Sequence, residues 1–371
     1  MGSNEYLARR IQERAAQLLT REVDMSDIAV RVRAGIDVGN ATTIACVQVE
    51  DDAPAIVKMP TQKTLRGARN IPATRKDDHI LAYQADGLYR PRYVGTLAVE
   101  ASEGGASESA RGSRARYADG WSVDFILAAL CAGAPGVANM RAEIALGVPA
   151  ELYTSAHASD IATAIVETYE FRYNGQDRRV KIDSVSVERE GYAALSSLEE
   201  MPSGRVLVLD IGGGTINVVS VLDGACKGVK TLHNTGIEYM LDDVDRMLVD
   251  NKERVLSLAE RRGLLDALRD KEDYSITIAN KDRQINEIAK ALIEPAVKDF
   301  VSVLASKVDT SVYKKIYLVG GGARAGLWGD KLKEYLPKAE RMSDAPEEDN
   351  ARGLLSRAGG KGSIKRAKGR K

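Results

Sequence analysis

Apolar and polar positions along this chain alternate in a way that predicts strands first and helices later. Residues 34–49 have the pattern of a strand, a tight turn around Gly39 and a returning strand. Residues 205–222 repeat that order around Gly212, Gly213 and Gly214. The chain therefore carries the same strand–turn–strand segment twice.

The two segments superimpose without a gap. The aligned pairs are Asp37 with Asp210, Gly39 with Gly212 and Thr42 with Thr215. An internal repeat about half a chain apart indicates two related lobes that face each other.

The rest of the pattern places further elements around the repeats. We expect a strand-rich insert and a flexible polar loop at 103–109 between them. The predicted helices are 123–130, 158–167, 242–251, 255–271 and 285–308, and the predicted strands are 143–148, 180–187 and 316–319.

Both ends of the sequence differ from its body. Apolar residues recur at helical spacing within residues 1–32, which predicts a helix that packs on the body or, alternatively, docks on a partner or a membrane. Residues 359–371 are rich in lysine and arginine and contain no acid, which predicts a disordered tail. That tail is either a solvated end or a weak electrostatic contact for nucleic acid or an acidic partner.

Composition narrows the class of protein. The 371 residues include 53 basic and 53 acidic side chains, so no chain-wide basic field for nucleic acid exists. The three cysteines and three histidines lack the spacing of a disulfide framework or a zinc site. We expect a cytoplasmic protein, because the sequence contains neither a run long enough to span a membrane nor the apolar core of a signal peptide.

The glycine turns suit a phosphate-bearing ligand. A Walker-type loop is excluded by the absence of its motif, and the turns lead into strands rather than into the helix of a dinucleotide site. Backbone N–H groups in such turns form nests for oxyanions, and glycine lets the anion come close. An isolated Asp-x-Gly turn is usually a plain hairpin, whereas two in matching register favour a polyphosphate gripped from both sides.

Two sets of residues are the candidate phosphate ligands. They are Gly39, Asn40, Ala41 and Thr42 in the first turn, and Gly212, Gly213, Gly214 and Thr215 in the second. Asp37 and Asp210 precede the turns, and carboxylates beside phosphates need a hard cation between them. We therefore assign both to a Mg²⁺ site held largely through water, with Asp210 also a candidate catalytic residue.

A third glycine cluster follows the predicted strand at 316–319. Gly320, Gly321 and Gly322 would let a purine and its ribose lie against bare backbone. The alternative is a turn that begins a helix.

Hydrolysis of a nucleotide needs a side chain that orients the attacking water. Glu190 closes a predicted strand just before Gly191 and is our candidate for that role. Glu188 is its rival, and a surface ion pair is the alternative for either residue.

The order of these motifs resembles the superfamily of actin, sugar kinases and heat-shock chaperones. Finer motifs resemble the plasmid-segregating bacterial actins of the ParM (StbA) type over residues 33–356. These motifs are 93–98, 146–153, the segment 185–191 that carries Glu190, and 349–353. Asn40 departs from the family pattern, which often has Ser or Thr there, and the two terminal segments are additions to it.

The resemblance implies an α/β, two-lobed actin-like (ribonuclease H-like) fold with a nucleotide cleft between duplicated lobes. It divides the body into lobe I (33–200 plus 335–358, with a small upper subdomain at about 58–118) and lobe II (201–334, with a small upper subdomain at about 233–284). The predicted helical extension (1–32) and the tail (359–371) are added at the two ends.

The resemblance also implies an ATPase that uses ATP and Mg²⁺ and polymerises into filaments, with a DNA-binding adaptor protein connecting them to a plasmid. Direct nucleic-acid contact would be limited to the tail, and no membrane anchor is expected. The alternatives are a membrane- or partner-attached cytoskeletal scaffold and, ranked lower, a small-molecule kinase, which would need a general-base Asp that does not stand out.

Overall fold

Two β-sheets and the helices packed against them form the body of the protein. The computed structural model describes residues 29–64, 73–75, 77–101, 107–109, 117, 120–278, 281–324, 326–360 and 364–365. The strands are β1 (Val30–Val38), β2 (Thr42–Val49), β3 (Ala55–Pro60), β4 (Gln62–Thr64), β5 (Asp78–Ala85), β6 (Leu88–Gly95), β7 (Ser107–Ser109), β8 (Asn139–Val148), β9 (Thr168–Tyr173), β10 (Gln176–Arg189), β11 (Arg205–Ile211), β12 (Thr215–Leu222), β13 (Ala225–His233), β14 (Ser275–Ile278), β15 (Lys281–Gln284), β16 (Lys315–Val319), β17 (Ala339–Arg341) and β18 (Ile364–Lys365). The helices are α1 (Thr96–Ala101), α2 (Val123–Gly133), α3 (Ser155–Ile165), α4 (Ile237–Asp250), α5 (Leu258–Asp270), α6 (Asn286–Lys307), α7 (Trp328–Tyr335) and α8 (Asp349–Leu355).

The predicted repeat appears as the same strand arrangement in both sheets. In the first, β3, β2 and β1 are antiparallel neighbours, and β8 and β10 follow in parallel beside β1. In the second, β13, β12 and β11 are antiparallel, and β16 and β17 follow in parallel. Each predicted strand–turn–strand segment is therefore the centre of its own sheet.

The first sheet continues beyond the repeat and curls over α2. After β10 come β9, β5, β6 and β4, and β4 follows β3 in the chain with only Thr61 between them. The far end of the sheet, at β4, thus lies next to its first strand, β3, along the chain. Helix α2 is apolar almost all round, as a helix enclosed by its neighbours must be, and only Ala132 within it is not buried.

One carboxylate is buried together with α2. Asp124 accepts a hydrogen bond from Lys63 Nζ at 2.8 Å and another from Tyr83 OH at 2.7 Å, and Arg92 Nη1 lies 3.1 Å from it. The side chains of Asp124 and Lys63 are 3% and 8% exposed. This ion pair is therefore almost removed from water, and it fastens β4, β5 and β6 to the helix.

We expect Asp124→Ala to lower the free energy of unfolding by about 3–5 kcal/mol, because it leaves the Lys63 ammonium buried without its carboxylate. Chemical denaturation followed by circular dichroism measures the change. The matched control is Asp177→Ala, whose ion pair with Arg172 is exposed to solvent and contributes little. Equal stability of the two variants would contradict a buried ion pair at Asp124.

Helix boundaries differ from the predicted ones where a capping residue decides them. Helix α5 begins at Leu258 rather than at 255, because Ser257 forms a capping box with Glu260: the hydroxyl accepts from Glu260 N and the carboxylate accepts from Ser257 N. Helix α3 begins at Ser155 because the Thr154 side chain accepts from a backbone N–H of its first turn.

Two segments that were predicted to lack regular secondary structure contain short strands, so these predictions were wrong in part. Strand β7 lies along β4 within the segment predicted as a flexible loop, and β18 lies along β10 within the predicted disordered tail. β10 extends beyond β9, so its backbone at Ser184 and Val185 offers a free edge on that side, which β18 occupies. Whether such short strands form depends on an available pairing partner and not on their composition.

The N-terminal prediction can be compared with the structure only at its end. The helix predicted within 1–32 falls almost entirely outside the described residues, and β1 already begins at Val30. In the part of the chain that the structure describes, no helix is long and apolar enough to cross a membrane.

Candidate active site

The turns that follow β1, β11 and β16 surround a cleft between the two sheets. Its volume is about 1210 Å³ with its open mouth included. The predicted residues that line it are Asp37, Gly39, Asn40, Ala41, Thr42, Glu190, Asp210, Gly212, Gly213, Thr215, Gly320, Gly321 and Gly322. The fold thus brings residues from four distant segments to one place.

Gly214 is the predicted residue that does not line the cleft. A Cβ at this position would lie 2.9 Å from Asn40 Nδ2. The second turn therefore approaches the first through this glycine. Asn40, the position where the sequence departs from the family pattern, supplies the side chain at that contact between the lobes.

Both Asp-x-Gly turns are closed so tightly that glycine is needed. A Cβ at Gly39 would lie 2.7 Å from Thr42 O, and one at Gly212 would lie 3.0 Å from Thr215 O. Gly321 in the third turn has no atom of a described residue within 4 Å of such a Cβ. These turns present backbone to the cleft, as an oxyanion nest requires.

Helix α4 begins directly against the second turn. Ile237 N and Glu238 N donate to the carbonyl oxygens of Gly212 and Gly213 at 3.1 and 2.9 Å. This packing is possible only because Gly236 has no side chain, since a Cβ there would overlap Gly213 O. The start of α4 therefore fixes the shape of the turn.

We expect Gly236→Ala to push the second turn away from α4 and to destabilise the protein by about 1–3 kcal/mol, as overpacked sites do. Thermal unfolding measures this loss. Gly228→Ala is the matched control, because a Cβ on that exposed strand residue would meet no described atom within 4 Å. If both variants unfold at the same temperature, the turn is not held by this close approach.

Three carboxylates meet at the floor of the cleft, joined by two asparagines. Asn350 Nδ2 donates to Asp210 Oδ2 at 3.1 Å and lies 3.3 Å from Asp37 Oδ2. Asn217 Nδ2 donates to Glu190 Oε2 at 2.9 Å and lies 3.4 Å from Asp210 Oδ2. The two asparagines hold carboxylates of both lobes in one network.

Burial makes Asp210 costly to ionise within this network. Asp210 is only 5% exposed, and burial raises its pKa, although the hydrogen bonds from Asn350 and Asn217 act in the opposite direction. Among the described residues there is no group of three or more His, Cys, Asp or Glu side chains that could hold a metal ion directly. The donor set fits a hard cation that keeps most of its water.

The asparagines are site residues that sequence reasoning missed. Asn217 interrupts the apolar run of β12, and a polar side chain on a central strand was the available signal. Asn350 lies in a segment whose resemblance to the family was noted without a role. Each is 3% exposed or less, so their hydrogen bonds, and not their exposure, show their importance.

The structure separates the two candidate glutamates. Glu190 lines the cleft, whereas Glu188 does not. Glu190 packs against a bare backbone position, because a Cβ at Gly147 would lie 3.3 Å from its Cγ. Burial outside the cleft raises the pKa of Glu188.

Helix α5 forms a wall of the cleft that the sequence did not predict. Arg262, Leu265, Asp266 and Arg269 line it and recur at the spacing of one helix face. Burial lowers the pKa of Arg262, which forms no ion pair with a described residue. This wall and the turn at 320–322 flank the mouth of the cleft.

A buried glutamate joins β3 to the segment that follows the third glycine turn. Glu347 accepts from Lys58 Nζ of β3 at 2.8 Å and also pairs with Arg324, which follows the third glycine turn. Although burial would raise the pKa of Glu347, these two cations lower it to about 2. The carboxylate is therefore ionised at neutral pH.

Solved actin-like proteins share this fold. The archaeal actin homologue Ta0583 in complex with ADP superimposes with a TM-score of 0.68 at 16% identity, over 88% of this chain and 98% of that chain. Bacillus thuringiensis ParM with ATP gives a TM-score of 0.64 at 14% identity, over 88% and 98% of the two chains. Apo pSK41 ParM gives 0.61 at 14% identity, over 88% and 97%. The chain has the actin-like fold, which confirms the predicted fold class.

Part of the chain also matches a protein-family model. Residues 200–350 match the model described as plasmid segregation protein ParM, C-terminal. No curated protein sequence matches the chain. The family model and the solved structures together confirm the resemblance to ParM-type actin-like proteins.

Proposed function

We propose that this protein is a nucleotide-driven, filament-forming actin-like ATPase that segregates plasmid DNA through an adaptor protein in the cytoplasm. One observation carries the proposal: two phosphate turns, three carboxylates and a bare glycine turn converge on a single cleft between duplicated lobes. The match of residues 200–350 to a plasmid-segregation family supports the biological role.

Each part of the cleft has a role in binding ATP. The backbone N–H groups around Gly39 and Gly212 receive the phosphates from the two lobes, with Thr42 and Thr215 as further donors. The glycine turn at 320–322 and the α5 wall receive the nucleoside. ATP is the expected nucleotide, and the two relatives solved with ATP and ADP support that expectation.

Mg²⁺, when bound through water near Asp37 and Asp210, offsets the charge between carboxylates and phosphates. Asn350 holds those two carboxylates in place from the segment that crosses back into lobe I. Glu190 orients the attacking water towards the γ-phosphate and accepts its proton, while Asn217 fixes the carboxylate of Glu190.

Because the nucleotide touches both lobes, it biases the angle between them. A head-to-tail contact that fits only the closed form extends without limit, since such contacts do not close on themselves. Hydrolysis would remove the γ-phosphate bridge and weaken that contact. The chain would then assemble with ATP and disassemble as ADP accumulates.

Right-angle light scattering of the purified protein on addition of Mg-ATP tests the proposal, with Mg-ADP as the control. We expect scattering to rise with ATP and to decay as phosphate is released. A flat trace with steady ATP turnover would reject filament formation and leave an ATPase of another kind. A flat trace without turnover would reject the whole proposal.

A further inference from the structure

A second concavity opens at the C-terminal end of α2, and Lys58 at its border separates it from the active-site cleft. Its walls come from β3, the last turn of α2, the start of β5 and the turn between β9 and β10. We call it the α2-end groove and define it by Val57, His79, Gly133 and Arg178. Nothing in the proposed ATPase cycle uses this groove.

Arg178 points into the α2-end groove from β10. It is 8% exposed and lies on the inward face of the strand with Val180, whereas Asp177 and Arg179 point outwards. Its Nη2 donates to Gln176 Oε1 at 2.6 Å, but its buried Nε has no acceptor among the described residues. It forms no ion pair with a described residue, although a buried cation normally requires one.

His79 brings a second donor to the same groove. Its Nδ1 lies 2.8 Å from Tyr173 OH, while its buried Nε2 has no hydrogen-bond partner in the described part of the chain. Burial lowers the pKa of His79 and raises that of Tyr173, so the ring is neutral and the phenol keeps its proton. In the tautomer in which Tyr173 donates to Nδ1, the imidazole proton lies on Nε2, where it is available to a ligand.

The other charges at the groove do not satisfy these donors. Asp77 is exposed at the rim. Lys58 is already paired with Glu347 and Glu348. The carbonyl end of α2 adds only a partial negative charge. Two buried N–H donors, one of them on a charged side chain, thus belong to residues that line the groove and have no acceptor among the described residues.

We propose that the α2-end groove binds a small oxyanion, a phosphate or carboxylate group, with Arg178 as its charged partner and His79 Nε2–H as a second donor. The planar guanidinium suits two oxygens of such a group. The oxyanion offsets the buried charge and fills both missing hydrogen bonds. A free phosphate ion and a small carboxylate share this chemistry.

Isothermal titration calorimetry of the full chain with inorganic phosphate and with malonate, in separate arms at constant ionic strength, tests the site. The variants are Arg178→Met and the adjacent control Arg179→Met, whose side chain pairs with Glu170 on the exposed face. We expect at least one anion to bind the native protein and the control alike. Its affinity should fall about ten-fold or more in Arg178→Met.

Thermal unfolding gives a second readout that a structural role would not produce. The anion-free Arg178→Met variant should be at least as stable as the native protein, because it removes an unpaired buried charge, and the anion should no longer stabilise it. His79→Phe keeps a ring and removes the donor, so it should bind more weakly and serves if Arg178→Met does not fold.

The proposal is overturned if neither anion binds. It is also overturned if Arg178→Met and the native protein bind the anion with equal affinity, because the anion then binds elsewhere, such as in the nucleotide cleft. Unchanged affinity in His79→Phe overturns the role of His79. Binding of phosphate alone or malonate alone identifies which source of oxyanion the groove accepts.

Discussion

Glu190→Gln should lower steady-state ATP turnover about 100- to 1000-fold, the range expected when a positioned general base is lost. Its Oε2 accepts from Asn217 Nδ2 at 2.9 Å, and the glutamine oxygen can keep that bond. The amide cannot accept a proton from the attacking water. ATP affinity should therefore change little, and filaments formed with Mg-ATP should persist instead of decaying.

The measurement is phosphate release alongside light scattering on the same sample. Glu188→Gln is the matched control, because Glu188 lies two residues earlier and does not line the cleft. If Glu188→Gln abolished turnover and Glu190→Gln did not, the assignment of Glu190 would have to be reversed. Equal loss in both would indicate that the end of β10 is merely sensitive to substitution.

Asp210→Asn should weaken Mg²⁺-dependent ATP binding about 10- to 100-fold, the loss usual when a group that orients a metal's ligands is removed. Asp210 Oδ2 accepts from Asn350, which also approaches Asp37. The substitution removes one of the negative charges that a hydrated cation would neutralise. Calorimetric titration of ATP with and without Mg²⁺ measures the change.

The same substitution should stabilise the nucleotide-free protein at neutral pH. Burial raises the pKa of Asp210 above its ordinary 3.8, so the folded state binds more protons than the unfolded state as pH rises above that value. Stability then falls with rising pH until the folded-state pKa is passed. Asp210→Asn lacks this slope, and its advantage should grow over the same interval.

Denaturation at a series of pH values checks this second effect. Asp223→Asn is the control, because Asp223 lies at an exposed turn where its carboxylate accepts from Gly204 N. The control should keep both the pH dependence and the Mg²⁺-dependent affinity of the native protein. A destabilised Asp210→Asn with unchanged ATP binding would contradict the role assigned to Asp210.

The division of the chain into two lobes remains a prediction at the level of its boundaries, but the strand pattern behind it could be inferred from the sequence. The turn at Gly39 and the turn at Gly212 occupy equivalent positions in the two sheets because the pairing of β1 with β2 and of β11 with β12 is local. Local pairing depends on neighbouring residues, and their pattern is visible in the sequence.

Contacts between distant segments could not be predicted from the sequence. Asn350 reaches Asp37 across 313 residues, and Lys58 reaches Glu347 across 289. Nothing in the local pattern of either segment indicates such a partner. The α5 wall was missed for the same reason, since a helix face with arginine and aspartate is most simply explained as exposed to solvent.

By itself, the sequence determined the repeated turns, the glycines that close them and the acidic residues beside them, because each follows from residues a few positions apart. Tertiary structure alone decided that Glu190 rather than Glu188 enters the cleft, that Asn217 and Asn350 join its carboxylates, and that Arg178 is buried without a counter-ion among the described residues. These outcomes depend on which face of a strand meets the other lobe or the core. That choice is made by packing across the whole sheet, where burial and hydrogen bonding between remote residues outweigh local preference.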